Sequence, residues 1–270
     1  MADVTASFVG SIPEYYDTYM GPAVLEPFAA DLAGRVPAQV DGDVLETACG
    51  TGILTRALRA RLDPAVRLIA TDLSDAMFEY ARRKLGDPAG VEWRQADAAA
   101  LPFDPAAFAA VVCQLGVMFV PDKGAAMREA RRVLADGGLF AFNVWDRLEV
   151  IPHARAASEA LSALFPGDPI VEFAKVPYGF NDEAVIGRLL TEAGFAAIRF
   201  EESRIEVRAP SAKAIAIGMI RGTPRSLMLQ ERGVSLDDVI DAVAAALARV
   251  GGASPFRTPA RAIIVTARAG

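Results

Sequence analysis

One segment constrains the fold more than any other: Val44-Leu45-Glu46-Thr47-Ala48-Cys49-Gly50-Thr51-Gly52, where an apolar run enters a glycine-bearing turn and a helical pattern follows from Ile53. A strand that leads at once into such a turn and a helix opens a βαβ unit, and βαβ units build parallel sheets. Gly50 and Gly52 let the backbone approach a ligand closely, and the helix behind offers free N–H groups and the positive end of its dipole. A nucleotide-like ligand suits that arrangement. Two glycines in a loop are weak evidence alone, so the surrounding chain must supply the context.

The context is a sustained alternation of elements. Residues 43–47 read as a strand, 53–62 as a helix and 66–71 as a second strand. Ser74 caps a predicted helix over 75–85 that Gly86 closes, and 91–94 and 108–114 read as the third and fourth strands. Asp122 caps a helix to 134, and Asp136-Gly137-Gly138 turns into a fifth strand over 139–144. Further on, the pattern predicts helices over 153–165, 182–193, 211–221 and 235–250, with strands over 197–207 and 262–267. Near the start, 13–20 reads as irregular or weakly helical and 22–32 as a helix. These spacings predict a single α/β domain over 1–270 with helices on both faces of a parallel sheet. Residues 1–145 form its ligand-binding half, and the long segments 145–180 and 208–258 are expected to fold as a helical cap over the ligand edge.

With 270 residues the chain can bury one large core, and 53% hydrophobic against 23% charged residues is a globular balance. A formal charge of −6 opposes attraction to nucleic acid and to anionic membranes. No basic-then-apolar leader opens the chain, and no run approaches the roughly 18 apolar residues of a membrane span, so a cytoplasmic chain without membrane insertion is expected. Cys49 and Cys113 are too few for a disulfide framework and lack metal-ligand spacing, which predicts reduced, semi-buried fillers and no metal. Oligomeric state leaves no signature in the sequence.

Two acids extend the glycine turn into a site. Asp72 ends the second strand, 20 residues past Gly52, where a carboxylate accepts from ribose hydroxyls. Asp97, in Gln95-Ala96-Asp97 after the third strand, is placed to accept from an exocyclic amine of adenine.

On these motifs the chain resembles the class I S-adenosylmethionine-dependent methyltransferases, in particular the small-molecule branch that includes the ubiquinone and menaquinone C-methyltransferases. The resemblance spans roughly residues 10–145. It implies a Rossmann-like, doubly wound, seven-stranded and mostly parallel sheet whose last strand is antiparallel, and the strand at 262–267 fits that last position. It places Glu46 against the methionine end of the cofactor and Ala48, Cys49, Gly50 and Gly52 around it. It puts Asp72 on the ribose, with Leu73 and Met77 lining the adenine and Ala96, Asp97 and Ala98 at the adenine edge. Gln114-Leu115-Gly116 occupies the end of the fourth strand, and Arg132-Val133-Leu134 to Gly137-Gly138 the segment before the fifth. Ala48 stands where the family carries the first turn glycine, an exchange that adds a methyl group without removing an N–H donor.

The resemblance implies S-adenosylmethionine as cofactor and direct displacement of its methyl group onto a small, largely apolar acceptor, aromatic or quinone-like. Such a transfer needs alignment more than catalytic side chains. His153, the only histidine, and Tyr16 are the candidate catalytic groups, and Tyr15, Tyr16 and Tyr19 can close over the cofactor as a lid. Phe119, Trp145, Phe165, Phe173 and Tyr178 are expected to give the acceptor pocket an aromatic lining. Two other readings stay open: a protein that binds S-adenosylmethionine without turnover, as a sensor or accessory subunit, and an NAD-dependent oxidoreductase. The second requires G-x-G-x-x-G, but the spacing from Gly50 puts Thr55 at its last glycine. Nucleic-acid methylation is disfavoured because Cys113-Gln114-Leu115-Gly116 lacks a Pro-Pro-aromatic segment.

Overall fold

A computed structural model describes residues 8–168, 170 and 176–270. Its strands are β1 (Asp43–Glu46), β2 (Leu68–Asp72), β3 (Val91–Gln95), β4 (Phe108–Gln114), β5 (Leu134–Trp145), β6 (Phe195–Ala209) and β7 (Phe256–Ala269). They form one sheet in the order β3-β2-β1-β4-β5-β7-β6. Strands β1 to β5 pair in parallel, and β7 runs antiparallel between β5 and β6. This is the doubly wound seven-stranded sheet with one antiparallel strand that the resemblance implies. Central strands covered on both faces need continuous apolar runs, and Val44, Leu45, Ala110, Val111 and Val112 are all buried. Strand order reverses between β1 and β4, and a crevice opens at the carboxyl ends of strands at such a switch point.

Helices α3 (Ile53–Arg61), α4 (Asp75–Leu85) and α5 (Lys123–Val133) make the first crossovers, following two others near the N-terminus. The caps expected for α4 and α5 are formed: Ser74 Oγ accepts from Met77 N–H at 3.4 Å, and Asp122 Oδ1 from Ala125 N–H at 2.8 Å. Helix α3 starts differently. Its N-cap, Gly52, has φ +79°, and a Cβ there would fall 2.7 Å from Leu85 Cδ1. Gly52 therefore serves packing of α3 against α4, which is the role of a glycine at that step of a nucleotide-binding turn.

The N-terminal region departs from the sequence reading. Instead of an irregular stretch and a helix from 22, α1 (Ile12–Tyr15), a π-helix (Tyr16–Leu25) and α2 (Glu26–Gly34) follow one another without a break. Pro22 explains both the misreading and the widening. In an α-helix its ring would strike the carbonyl four residues back, and π turns enlarge the backbone enough to take it.

The latter half contributes α6 (Pro152–Leu164), α7 (Glu183–Glu192), α8 (Ala212–Arg221), α9 (Arg225–Gln230) and α10 (Leu236–Gly251). Helix α10 packs on α6 and α8, and α8 packs on the π-helix. Much of 145–180 and 208–258 is thus a helical layer beside the N-terminal helices; Phe173 lies outside the described residues. Helix α9 has no periodic signature in the sequence. Among the described residues no helix is long and apolar enough to cross a membrane.

Candidate cofactor and acceptor site

A cavity of about 310 Å³ opens at the β1/β4 switch point. Tyr16, Glu46, Ala48, Cys49, Gly50, Asp72, Leu73, Met77, Ala96, Asp97, Ala98, Gln114 and Leu115 all line it. Gly52, Tyr19 and His153 are not in the lining. Gly52 lies under the turn as described above. Tyr19 stacks on Tyr15, with centroids 6.1 Å apart, and its Cβ faces Gly218 of α8. His153 is 2% exposed in the first turn of α6, its Nδ1 has no partner among the described residues, and burial pushes its imidazole down to about 4. The expectation that it meets an acceptor in this cavity is corrected on that geometry.

The turn after β1 is shaped by contacts that reach across strands. Asp72 Oδ2 accepts from Gly50 N–H at 2.8 Å and Oδ1 from Ser74 N–H at 2.8 Å, so one carboxylate fixes both loops and still has a second lone pair on each oxygen. Burial raises its carboxyl above the usual range, and the N–H groups of Gly50 and Ser74 pull it back. Gly50 has φ +56°, and a Cβ there would meet nothing within 4 Å, which leaves its face free for a ligand. Ala48 adopts φ +53°, a left-handed conformation that a non-glycine residue rarely takes. Its methyl has room because Gly116 lies opposite, where a Cβ would fall 2.5 Å from that of Ala48.

Glu46 ends β1 at 1% exposure, and its Oε2 has no partner among the described residues. Burial pushes its carboxyl up to about 8; Thr55, through its side chain and then its N–H, offsets only part of that, and Asp72 adds to it. A buried acid with an unpaired oxygen facing a cavity is a site for a donor or cation from outside the chain. Asp97 Oδ1 accepts from Ala99 N–H at 2.8 Å, which orients the carboxylate at the opposite wall. Gln114 Nε2 donates to Leu25 O at 2.8 Å and ties the end of β4 to the π-helix.

Both thiols are buried and held protonated. Burial, then the charges of Asp72 and Glu46, hold Cys49 well above its ordinary value, and burial pushes Cys113 up to about 11. Tyr16 is likewise raised by burial, and by Asp72, Tyr178 and Asp17, so its hydroxyl stays protonated and can donate.

Of the aromatic residues expected around the acceptor, Phe119 lines the cavity and Trp145, Phe165 and Tyr178 do not; sequence reasoning missed Phe8, Leu25, Thr51, Ser74, Val120, Pro121 and Asp122. Ser74 and Asp122 carried a signal, since the cap of a helix that follows a strand stands at the carboxyl edge of the sheet. Phe8 and Leu25 arrive with the N-terminal helices and had none.

Residues 44–138 match the model of a methyltransferase domain family. The chain is 30% identical over 168 residues to the ubiquinone/menaquinone biosynthesis C-methyltransferase of Hahella chejuensis, which covers 61% of this chain and 59% of that protein. It is 37% identical over 94 residues to the 2-phytyl-1,4-naphtoquinone methyltransferase of Thermosynechococcus vestitus, 35% of this chain and 42% of that one. The chain thus spans about half of the length of these two relatives. In fold it is similar to phosphoethanolamine N-methyltransferase 2 of Haemonchus contortus, solved with S-adenosyl-L-methionine, at TM-score 0.59 and 17% identity over 95% of this chain and 56% of that one. The glycine turn, Asp72 and Asp97 all lie within residues 44–138, the stretch that matches the methyltransferase domain model.

Proposed function

We propose that the chain binds S-adenosylmethionine in this cavity and directs its methyl group onto a small, largely apolar acceptor, aromatic or quinone-like. The observation that carries this reading is the set of three acids, Glu46, Asp72 and Asp97, at the ends of three successive strands and open to one cavity. The fit to the cofactor is specific in chemistry: Glu46 Oε2 is buried without a partner and suits a cationic amino group, and Gly50 presents bare backbone. When bound, the cofactor supplies an electrophilic methyl on a sulfonium. Asp72 holds the ribose hydroxyls, Asp97 accepts from the adenine amine, and Leu73 and Met77 pack its ring. Leu25, Leu115 and Phe119 give the remaining wall an apolar surface that excludes water and favours a planar acceptor. Tyr16, protonated and at the edge of the cavity, donates a hydrogen bond that orients the acceptor oxygen. The quinone methyltransferases among its relatives support an acceptor of that kind.

Calorimetric titration with S-adenosylmethionine, S-adenosylhomocysteine and NAD tests the reading. The two adenosyl ligands are expected to bind and NAD is not. Asp72→Ala should abolish binding but also frees two loops, so Asp97→Asn is the cleaner variant, with a loss of about tenfold. Binding of NAD alone overturns the proposal, and binding without transfer to quinols, phenols or amines returns the chain to a sensor or accessory role.

A further inference from the structure

A second recess, of about 280 Å³, opens on the sheet face beyond the end of α2, with Arg35, Leu139, Arg199, Glu201, Thr266 and Arg268 in its wall. It shares no lining residue with the cofactor cavity. It lies where β5 begins and β7 ends, since Leu139 pairs with Arg268. The cofactor cavity is at the opposite, carboxyl ends of the parallel strands.

Strand pairing gathers its polar groups on one face. Thr266 and Arg268 are two apart on β7 and point to the same side, and Arg199 stands opposite Thr266 on β6. Arg199 and Arg268 are therefore diagonal neighbours across the ladder. Between them β6 carries a bulge, in which Ala197 and Ile198 face Ala267 alone. Ala197 takes φ +48° there and joins the wall of the recess. A bulge bends its strand and re-aims the side chains beside it, and the recess lies at that bend.

The nearby acids are already engaged. Arg35, the C-cap of α2, pairs with both Asp31 and Glu201, and Ser203 Oγ donates to the other oxygen of Asp31. Arg268 donates to Gly137 O at 3.2 Å, a neutral acceptor that leaves its charge uncompensated. Among the described residues no carboxylate pairs with Arg199 or Arg268. Two like charges side by side on a ladder repel. In a chain of net charge −6 they make a local positive site that an anion would relieve.

We propose that this recess binds a small phosphate-bearing molecule, with the guanidiniums of Arg199 and Arg268 and the hydroxyl of Thr266 around its phosphate. A carboxylate offers two oxygens in one plane, which one guanidinium can satisfy. The three terminal oxygens of a phosphate ester can accept from two guanidiniums and a hydroxyl together. Leu139, 5% exposed, gives the body of the molecule an apolar floor. The site stands apart from the methyl-transfer reading and does not depend on it.

The test titrates inorganic phosphate, pyrophosphate and glycerol 3-phosphate against acetate into the whole chain by calorimetry, at constant ionic strength so that general screening is equal. At least one phosphate compound is expected to bind about tenfold tighter than acetate, and Arg199→Gln combined with Arg268→Gln to remove that preference. Both arginines are exposed, so Tm without ligand should stay within about 2 °C. Glu201→Gln removes the one acid of the wall and should tighten phosphate binding about threefold, which a purely structural role for the arginines does not give. Phosphate compounds that bind no tighter than acetate overturn the proposal, as does a preference that survives the double substitution or weakens in Glu201→Gln. Capture by anionic lipid vesicles or RNA through the same arginines, without affinity for the free phosphate compounds, also overturns it and assigns the surface to a macromolecule.

Discussion

Glu46 is the residue at which stability and binding oppose each other. Its carboxyl is raised to about 8 when folded, against an ordinary value near 4.5, so between those limits the folded chain holds a proton that the unfolded chain has released. The stabilising contribution is full below the lower value and falls as pH rises toward the upper one. Glu46→Gln mimics the protonated form, so the variant should gain on the wild type by about 1–3 kcal/mol between pH 6 and pH 8, measured by urea denaturation at both values. A stability difference that does not move with pH would mean that Glu46 titrates normally. Acids at strand ends were legible in the sequence because strand, turn and acid are contiguous; the unpaired Oε2 was not, because it depends on what β2, β4 and α3 place around it. Gly116 is similar. It reads as an ordinary loop glycine until Ala48 is found facing it from the turn after β1.

At the level of elements, the N-terminal helices form one wall of the cavity, and an ion pair ties the π-helix to α4. Asp17, buried in the π-helix, accepts from Lys84 Nζ at 2.7 and 2.6 Å and from Tyr80 Oη at 3.3 Å, and both partners belong to α4. Helix α4 also carries Met77 of the lining, so the pair fixes Tyr16 and Leu25 relative to the opposite wall. Replacing Asp17 with Asn keeps the shape and removes the charge, with an expected loss of about 1–3 kcal/mol. The loss should be local. Hydrogen exchange over residues 12–25 is expected to quicken well before that of β4 and β5, and S-adenosylmethionine should dissociate faster; uniform acceleration across both regions would refute a local latch. This wall was illegible because its helix period is neither 3.6 nor 2 through Pro22, and because Asp17 and Lys84 are distant in sequence. The crossover helices α4 and α5 were legible because Ser74 and Asp122 are local caps, each bonded to an N–H three residues on.

For the molecule as a whole, the last strand in the chain order is the one that joins the edge strand β6 to the rest of the sheet. The alternation of strands and helices predicts β1 to β5 in order, but it does not say that a C-terminal strand enters between β5 and β6, since that depends on pairing across more than a hundred residues. Strand β7 pairs with β6 from Phe195↔Ala269 to Ala209↔Phe256 and with β5 from Leu139↔Arg268 to Trp145↔Ala262, and β6 has no other neighbour. It buries Phe256, Ile263, Ile264 and Val265 besides several alanines. At about 1.5–3 kcal/mol for each large side chain, that burial is comparable with the roughly 5–15 kcal/mol by which a domain is stable at all. A chain lacking 256–270 should therefore lose cooperative thermal unfolding and bind a hydrophobic dye, even though every lining residue of the cavity is still present. Adding the 256–270 peptide in trans should restore part of the transition. A truncated chain that unfolds sharply and binds S-adenosylmethionine unchanged would show that β1 to β5 with their helices stand alone and that β7 only recruits β6.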